Sequence, residues 1–213
     1  MEAVTRSIVV IGPPDTFELV ESLKVYRIAG YLSPQEEVRS IYPQYTHLGD
    51  DGQIQLLVRQ GYCFTVALKS NTRRQQLIEH IIDCGGEVVV VKHPDATVFD
   101  SAELMIGTVV APQAIVSACA KIGRGVVVNY GSVVGHDVEV GNWSFIAPGV
   151  KLLGYSKIGS NVFIGANCVI YPYVTIGDNV TISANTTVTK KIHGDVKVIG
   201  IDKKRMISSI DPL

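Results

Sequence analysis

The chain has 213 residues, of which 46% are hydrophobic and 18% are charged, so it can form a sizeable core and is not a disordered polymer. Its formal net charge of −1 excludes the basic excess with which proteins bind nucleic acid, and no apolar run reaches the roughly 18 residues of a membrane span. The polar N-terminus lacks the long apolar region of a signal peptide, so we expect a cytoplasmic protein.

The first ninety residues alternate between strand and helix patterns. Hydrophobic patterning predicts strands at 7–11, 26–32, 62–69 and 87–91, and helices at 16–24, 50–60 and from 71 to the glycine pair at 85–86. Asp15 and Glu18 have the spacing of a capping box, and Asn71 is predicted to cap the third helix. Alternating strands and helices are typical of a small α/β domain with a parallel sheet, which we assign to residues 1–94.

Ligands of a parallel α/β sheet bind beyond the carboxyl ends of its strands. In this chain the segments that follow the predicted strands are Gly12–Pro14, Ser33–Pro34 and Lys69–Asn71. The sequence therefore predicts a substrate site formed by these three segments.

A second pattern begins at Val98, where an aliphatic residue recurs every sixth position without an insertion. The series comprises Val98, Leu104, Val110, Val116, Ile122, Val128, Val134, Val140, Ile146, Leu152, Ile158, Ile164, Ile170, Ile176, Ile182 and Val188. A period of six predicts a parallel β-helix in which three hexads form a triangular coil and each residue stacks on the residue 18 positions later. We assign this domain to residues 95–193 and a C-terminal tail to residues 194–213.

One histidine of the repeat has the setting of a general base. The inward columns hold Val134 and Val138, so His136 is predicted to point outward, with the small residues Ala118 and Gly154 stacked before and after it. An imidazole can take a proton from an attacking amine or hydroxyl, and a neighbouring carboxylate can orient it. Asp137 is the first candidate for that carboxylate and Glu139 the second.

The two-part organisation resembles the sialic acid O-acetyltransferase (NeuD) family, which includes the PglD-type sugar acetyltransferases. The resemblance covers nearly the whole chain. The motifs that carry it are V-I-G at 10–12, A-G-Y-L at 29–32, L-G-D-D at 48–51, S-N-x-x-R at 70–74, H-P at 93–94, V-V-G-H-D-V-E-V-G at 133–141 and A-P-G-V-K-L-L-G at 147–154. It implies a Rossmann-like α/β domain followed by an all-β left-handed parallel β-helix.

The resemblance also implies an activity and its residues. It implies an acetyl-CoA-dependent N- or O-acetyltransferase acting on a sugar or a nucleotide-linked amino sugar, with His136 as the catalytic base and Asp137 as its assistant. It implies a homotrimer that binds acetyl-CoA between subunits. The cofactor contacts fall on Phe145, Gly154, Ala166 and Ala184, and the substrate contacts on Gly12, Pro13, Ser33, Gly49, Asn71 and Arg74.

The sequence departs from the family pattern at three places. Pro13 and Pro14 replace a glycine-rich turn and remove two backbone donors, Ser33-Pro34 replaces an acidic pair, and Phe145 replaces a second histidine. These changes keep open the alternative of a non-catalytic binding or scaffold protein with the same fold. A zinc-dependent carbonic anhydrase needs three histidine ligands, whereas the repeat holds only His136, with His193 just past its end, so no metal site is predicted.

Overall fold

The computed structural model describes residues 6–33 and 43–199, which form an α/β domain followed by a β-helix. The α/β domain contains the strands β1 (Arg6–Ile11), β2 (Tyr26–Tyr31), β3 (Cys63–Val66) and β4 (Glu87–Val88), and the helices α1 (Asp15–Ser22), α2 (Ile54–Arg59) and α3 (Asn71–Asp83). A short 3-10 turn, Asp51–Gln53, precedes α2. The four strands are parallel in the order β2-β1-β3-β4, as expected for an α/β domain.

The predicted fourth strand is divided between the two domains. Strand β4 pairs with β3, and the N–H of Val89 still donates to Phe64 O at 2.9 Å. Two residues later the N–H of Val91 donates to Thr108 O, and β5 (Val91–Lys92) pairs with the β-helix. One extended segment thus passes from the first sheet into the second, and β5 begins before residue 95, where the proposed β-helix domain starts.

Short strands follow at six-residue intervals and build the β-helix. They are β6 (Thr97–Val98), β7 (Glu103–Leu104), β8 (Val109–Val110), β9 (Ile115–Val116), β10 (Lys121–Ile122), β11 (Val127–Val128), β12 (Val133–Val134), β13 (Glu139–Val140), β14 (Phe145–Ile146), β15 (Lys151–Leu152), β16 (Lys157–Ile158), β17 (Phe163–Ile164), β18 (Val169–Ile170), β19 (Thr175–Ile176), β20 (Thr181–Ile182), β21 (Thr187–Val188) and β22 (Lys197–Val198). Each aliphatic residue of the predicted series is the second residue of a strand from β6 to β21.

The strands stack into three parallel walls of a left-handed β-helix, which confirms the fold expected from the repeat. A five-stranded wall runs from β7 to β19, a six-stranded wall from β6 to β21, and a seven-stranded wall from β5 to β22. Partners lie 18 residues apart, as in the pairs Lys121–Glu139 and Val133–Lys151. The aliphatic series points inward and forms one continuous core.

Three corners join the walls, and each turns through a residue with a left-handed backbone. The first corner joins the six-stranded to the five-stranded wall at Cys119, Asp137, Tyr155 and Tyr173. The second joins the five-stranded to the seven-stranded wall at Gly107, Gly125, Trp143, Asn161 and Asn179. The third joins the seven-stranded to the six-stranded wall at Gln113, Gly131, Gly149, Asn167 and Asn185.

The α/β domain is seated on the second corner. Trp143 is buried in the same apolar cluster as Leu77 and Ile78 of α3, so this tryptophan joins two domains of one chain rather than two subunits, as its corner position had suggested. Its ring lies over Gly125, where a Cβ atom would come within 2.6 Å of the indole. A side chain at position 125 would therefore push the α/β domain away from the β-helix.

Two predicted helix caps are wrong. The N-cap position of α1 is Pro14, which gives no side-chain cap, and the carboxylate of Asp15 instead accepts a hydrogen bond from the hydroxyl of Tyr130 in the β-helix. Helix α3 is capped by Ser70, whose Oγ accepts from the Arg73 N–H at 3.3 Å. Both corrections have one cause, because side chains expected to serve their own helix bond to the β-helix packed against it.

Candidate active site

His136 and Asp137 form a hydrogen-bonded pair at the first corner. The imidazole Nδ1 lies 2.9 Å from Asp137 Oδ2, and the two side chains are 56% and 41% exposed. Asp137 has a φ of 57°, a left-handed conformation that the short polar side chains of Asp and Asn tolerate. Because the carboxylate can only accept at this pH, it holds the proton on Nδ1 and leaves the lone pair of Nε2 free to take a proton.

Gly154 lies against the imidazole from the next coil. A Cβ atom at position 154 would come within 2.7 Å of His136 Nε2 and 2.8 Å of Cε1, so the ring needs a residue without a side chain at this position. No described residue accepts a hydrogen bond from the Gly154 N–H, while the next amide, Tyr155 N–H, donates to His136 O at 3.1 Å. A free donor thus lies next to a free base.

Two tyrosines complete this corner and were not anticipated from the sequence. The ring of Tyr155 makes an edge-to-face contact with His136, with centroids 5.0 Å apart, and it stacks on Tyr173 at the same distance. The signal that could have found them is the 18-residue period, which puts Tyr155 and Tyr173 in the same column as Asp137.

A groove of about 580 Å³ runs beside the pair between the tyrosine column and the outward lysines of the five-stranded wall, Lys121 and Lys157. Glu139 lies on the same wall, but its carboxylate accepts from Lys157 Nζ at 3.0 Å. The second candidate for orienting His136 is therefore engaged elsewhere, and Asp137 is the carboxylate that the structure gives to the histidine.

The predicted substrate residues lie at the other side of the molecule, where the α/β domain meets the seven-stranded wall. Gly12 and Pro13 follow β1, and the cleft that Pro13 lines is narrow, with a volume of about 70 Å³. The Asp15–Tyr130 hydrogen bond crosses this cleft. Gly49 and Ser33 meet at the end of β2, where the Ser33 N–H donates to Gly49 O at 3.0 Å; Pro34 lies outside the described residues.

A wider groove of about 540 Å³ opens at the start of α3. Lys69, Asn71 and Phe163 line it, with Lys69 Nζ 5.3 Å from the centroid of the Phe163 ring. Asn71 also donates from Nδ2 to Val162 O at 3.2 Å, which ties the helix to the β-helix. Of the predicted substrate residues, Asn71 is therefore the one that borders a groove of ligand size.

Arg74 does not have the solvent or phosphate contact expected from the sequence. Its side chain is fully buried between the two domains, where the guanidinium donates to the carbonyl oxygens of Gly125, Trp143, Ser144 and Leu68 and to Asn71 Oδ1. Burial lowers the pKa of Arg74 to about 10, which leaves it charged at neutral pH. A side chain with all its donors used inside the protein cannot contact a substrate, so the prediction of Arg74 as a substrate residue is wrong.

The predicted cofactor residues fall on three parts of the prism. Gly154 lies at the first corner beside His136, and Ala166 and Ala184 stack one coil apart where the seven-stranded wall reaches the third corner. Phe145 lies on the seven-stranded wall, buried and stacked on Phe163 with centroids 5.5 Å apart. One chain therefore brings His136, Asp137 and Gly154 together but not the other predicted contacts.

Two further functions find no support in the described part of the chain. Residues 6–33 and 43–199 contain no cluster of three or more His, Cys, Asp or Glu side chains that could hold a metal ion. No helix within these residues is both long and apolar enough to cross a membrane.

The β-helix matches a known sequence family. Residues 119–154 and 155–190 match the family described as bacterial transferase hexapeptide (six repeats). A sequence comparison with curated proteins gives no significant match. The fold and the repeat together define a hexapeptide-repeat transferase.

Solved structures extend the likeness over both domains. The acetyltransferase domain of PglB from Neisseria gonorrhoeae, in complex with acetyl coenzyme A, is 28% identical, with a TM-score of 0.84 over 91% of this chain and 95% of that one. The perosamine N-acetyltransferase of Caulobacter crescentus, in complex with CoA and GDP-perosamine, is also 28% identical, with a TM-score of 0.84 over 93% and 95% of the two chains. WeeI from Acinetobacter baumannii, at 18% identity and a TM-score of 0.73 over 91% and 97%, shares the fold.

The chain belongs to the hexapeptide-repeat acyltransferase superfamily and, within it, to the PglD-type family. It is therefore an acyltransferase, as the sequence motifs predicted.

Proposed function

We propose that this protein is an acetyl-CoA-dependent N- or O-acetyltransferase that acts on a sugar or a nucleotide-linked amino sugar. The observation that carries the proposal is the His136–Asp137 pair, with its Nε2 free beside Gly154, at a corner of an unbroken hexapeptide β-helix. The complexes of two 28% identical relatives, with acetyl coenzyme A and with CoA and GDP-perosamine, support the donor and the acceptor class. The same pair favours catalysis over the non-catalytic alternative.

The free nitrogen of His136 defines the proposed chemistry. His136 Nε2 takes the proton from the acceptor amine or hydroxyl as the acceptor nitrogen or oxygen forms a bond to the acetyl carbonyl carbon. Asp137 accepts from Nδ1–H and stabilises the imidazolium that results. The thioester supplies an activated acetyl group, so no covalent bond to the protein is needed.

The backbone at position 154 can support the same step. As the carbonyl carbon becomes tetrahedral, its oxygen gains negative charge, and the unpaired Gly154 N–H lies close enough to the base to donate to it. When the carbon–sulfur bond breaks, the imidazolium can return its proton to the departing thiolate. The proton balance then closes without a second titratable group.

The separation of the predicted contacts supports a homotrimer. Ala166, Ala184 and Phe145 lie on walls and corners away from His136, so one chain cannot place all of them around a single donor. If the first corner of one subunit packs against the seven-stranded wall and third corner of the next, all four cofactor contacts meet in one cleft. A closed ring of three satisfies this head-to-tail contact for every subunit.

The narrow cleft at Pro13 bears on the acceptor. Ligand pockets have volumes of roughly 300–1,000 Å³, whereas this cleft, crossed by the Asp15–Tyr130 hydrogen bond, has about 70 Å³. The groove at Lys69 and Asn71 has about 540 Å³ and a cation at its rim. We therefore assign acceptor binding to that groove rather than to the Gly12–Pro13 turn.

Thermal stability tests the donor site first. Acetyl-CoA at 100 times its dissociation constant should add about 2.7 kcal/mol to the stability of the wild type and raise its melting temperature. The Gly154→Trp variant should lose this shift, because the indole would fill the space of the imidazole and the donor. An acceptor screen with His136→Ala as the control then tests transfer. A wild type that does not respond to millimolar acetyl-CoA would rule out this donor.

A further inference from the structure

The corner residues of the β-helix share an unusual backbone. From residue 107 to residue 185 every sixth residue has a left-handed conformation, with φ between 57° and 72°. Gly, Asn and Asp tolerate this conformation, while a bulky side chain is strained in it by about 1–3 kcal/mol. Nine of these fourteen corners hold Gly, Asn or Asp, as the strain argument expects: Gly107, Gly125, Gly131, Asp137, Gly149, Asn161, Asn167, Asn179 and Asn185.

Three corners hold large aromatic residues instead. The strain at Trp143 is offset by its burial in the core of the α/β domain. Tyr155 and Tyr173 have no such compensation within the chain, because they are 44% and 74% exposed, with φ values of 61° and 62°. Strain that packing does not offset is typical of residues retained for a function.

Both tyrosines lie next to the catalytic pair. The rings of Tyr155 and Tyr173 are parallel within 4°, with centroids 5.0 Å apart, and Tyr155 meets the imidazole of His136 at 88° and 5.0 Å. Aromatic rings prefer these stacked and edge-to-face arrangements. The three rings thus form one continuous column along the first corner.

His136 needs such a support. Its side chain is 56% exposed, its one hydrogen bond goes to the adjacent residue, and Gly154 offers no side chain to hold it. An Asp137 carboxylate can follow the imidazole as it turns, so this bond alone does not fix the direction of Nε2. The contact that restricts the ring from a different coil is the one with Tyr155.

We infer that Tyr155 is a positioning residue that holds the His136 imidazole with Nε2 over Gly154, and that Tyr173 holds the Tyr155 ring in place. The inference rests on the proposed role of His136 as general base. It adds a restraint on the base that the His–Asp pair does not provide by itself.

The test uses substitutions that cannot fail through misfolding of the corner. Tyr155→Asn places at position 155 the residue that this chain already uses at four left-handed corners, so it should fold at least as well as the wild type. Tyr155→Phe keeps the ring and removes only the hydroxyl. Tyr171→Ala is the matched control, because Tyr171 is an exposed tyrosine of the same coil with no ring contact to His136 among the described residues.

The first readout is steady-state kinetics. In Tyr155→Asn we expect kcat to fall by about tenfold to a hundredfold, since a misplaced base loses part of its contribution, with little change in KM for acetyl-CoA. Tyr155→Phe should restore most of the loss, Tyr173→Asn should show a smaller decrease than Tyr155→Asn, and Tyr171→Ala should behave as the wild type. A kcat in Tyr155→Asn equal to that of the wild type would overturn the inference.

The second readout needs no substrate. The ring protons of His136, assigned among the five histidines by their loss in His136→Asn, should be displaced in the NMR spectrum by the neighbouring tyrosine ring. The displacement should persist in Tyr155→Phe and disappear in Tyr155→Asn. If it is unchanged in Tyr155→Asn, Tyr155 does not hold the imidazole. Absence of acetyl transfer in the wild type would instead contradict the proposed function, whatever this spectrum shows.

Discussion

The imidazole of His136 lies against Gly154 so closely that one added carbon atom would displace it. A Cβ atom at position 154 would be 2.7 Å from Nε2, the nitrogen proposed to take the acceptor proton. This relationship makes the glycine a test of the site that leaves all polar groups of the pair in place.

We therefore expect Gly154→Ala to lower kcat by at least about a hundredfold, because the methyl group turns Nε2 away from the acceptor. The backbone at 154 is not left-handed, so the melting temperature should stay within a few degrees of the wild type. Enzyme assays and differential scanning fluorimetry check the two parts. Wild-type turnover in this variant would mean that the imidazole works from another position.

Replacing the base itself should abolish most of the activity. General-base catalysis contributes about 10²–10⁴-fold, so His136→Asn should lower kcat by that factor. Because the residue is exposed, acetyl-CoA binding measured by calorimetry should remain. His80→Asn is the control, since His80 lies on the exposed face of α3. Equal losses in both variants would contradict a catalytic role.

The carboxylate should matter less than the imidazole. Asp137→Asn keeps a residue suited to the left-handed corner but replaces the charged acceptor of Nδ1–H by a neutral one. We expect kcat to fall about tenfold with an unchanged melting temperature. Glu139→Gln should have no effect on turnover, because Glu139 pairs with Lys157. The opposite order of effects would make Glu139 the orienting residue.

Arg74 should be essential for stability rather than for chemistry. Arg74→Ala leaves several buried carbonyl oxygens without a donor, so we expect a loss of about 3 kcal/mol or more and a melting temperature lower by about 10 °C. Arg73→Ala, one residue earlier, removes an exposed ion pair with Asp51 and should cost at most about 1 kcal/mol. Thermal unfolding of the two variants decides whether Arg74 joins the domains.

Alkaline pH should destabilise the fold through its tyrosines. Burial, and then the hydrogen bond to Asp15, raise the pKa of Tyr130 above its usual range, and burial followed by the contact with Glu21 raises the pKa of Tyr45 to about 12. Because the folded state holds these protons more tightly, the stabilisation is complete below the unfolded pKa of about 10 and is lost as pH rises beyond it. Urea unfolding between pH 8 and 11 should show this decrease, and Tyr130→Phe should weaken it.

The β-helix could be predicted almost in full from the sequence. Its hexads repeat a local pattern, and each aliphatic residue from Val98 to Val188 occupies the strand position that the period assigns to it. Local order also predicted His136 as an outward residue and Asp137 as its partner, because neighbours along the chain remain neighbours at a corner.

The contacts between the domains could not be predicted in this way. Asp15, Asn71 and Arg74 look like ordinary helix residues, and their partners lie 51 to 115 positions away in the β-helix. The role of Tyr155 was hidden for a related reason: its distance of 19 residues from His136 becomes a contact only after the chain has completed one coil.

The spacing of 18 residues between stacked positions makes the catalytic corner dependent on length as well as on identity. Gly154 and Tyr155 meet His136 only because the intervening segment forms one complete coil, with Val133 paired to Lys151 and Glu139 to Lys157. A single residue inserted or deleted between 138 and 150 would bring different residues beside the imidazole, although every residue named in the mechanism would still be present. In such a protein a frame of three walls acts as a ruler, and the active site is read off at one of its divisions.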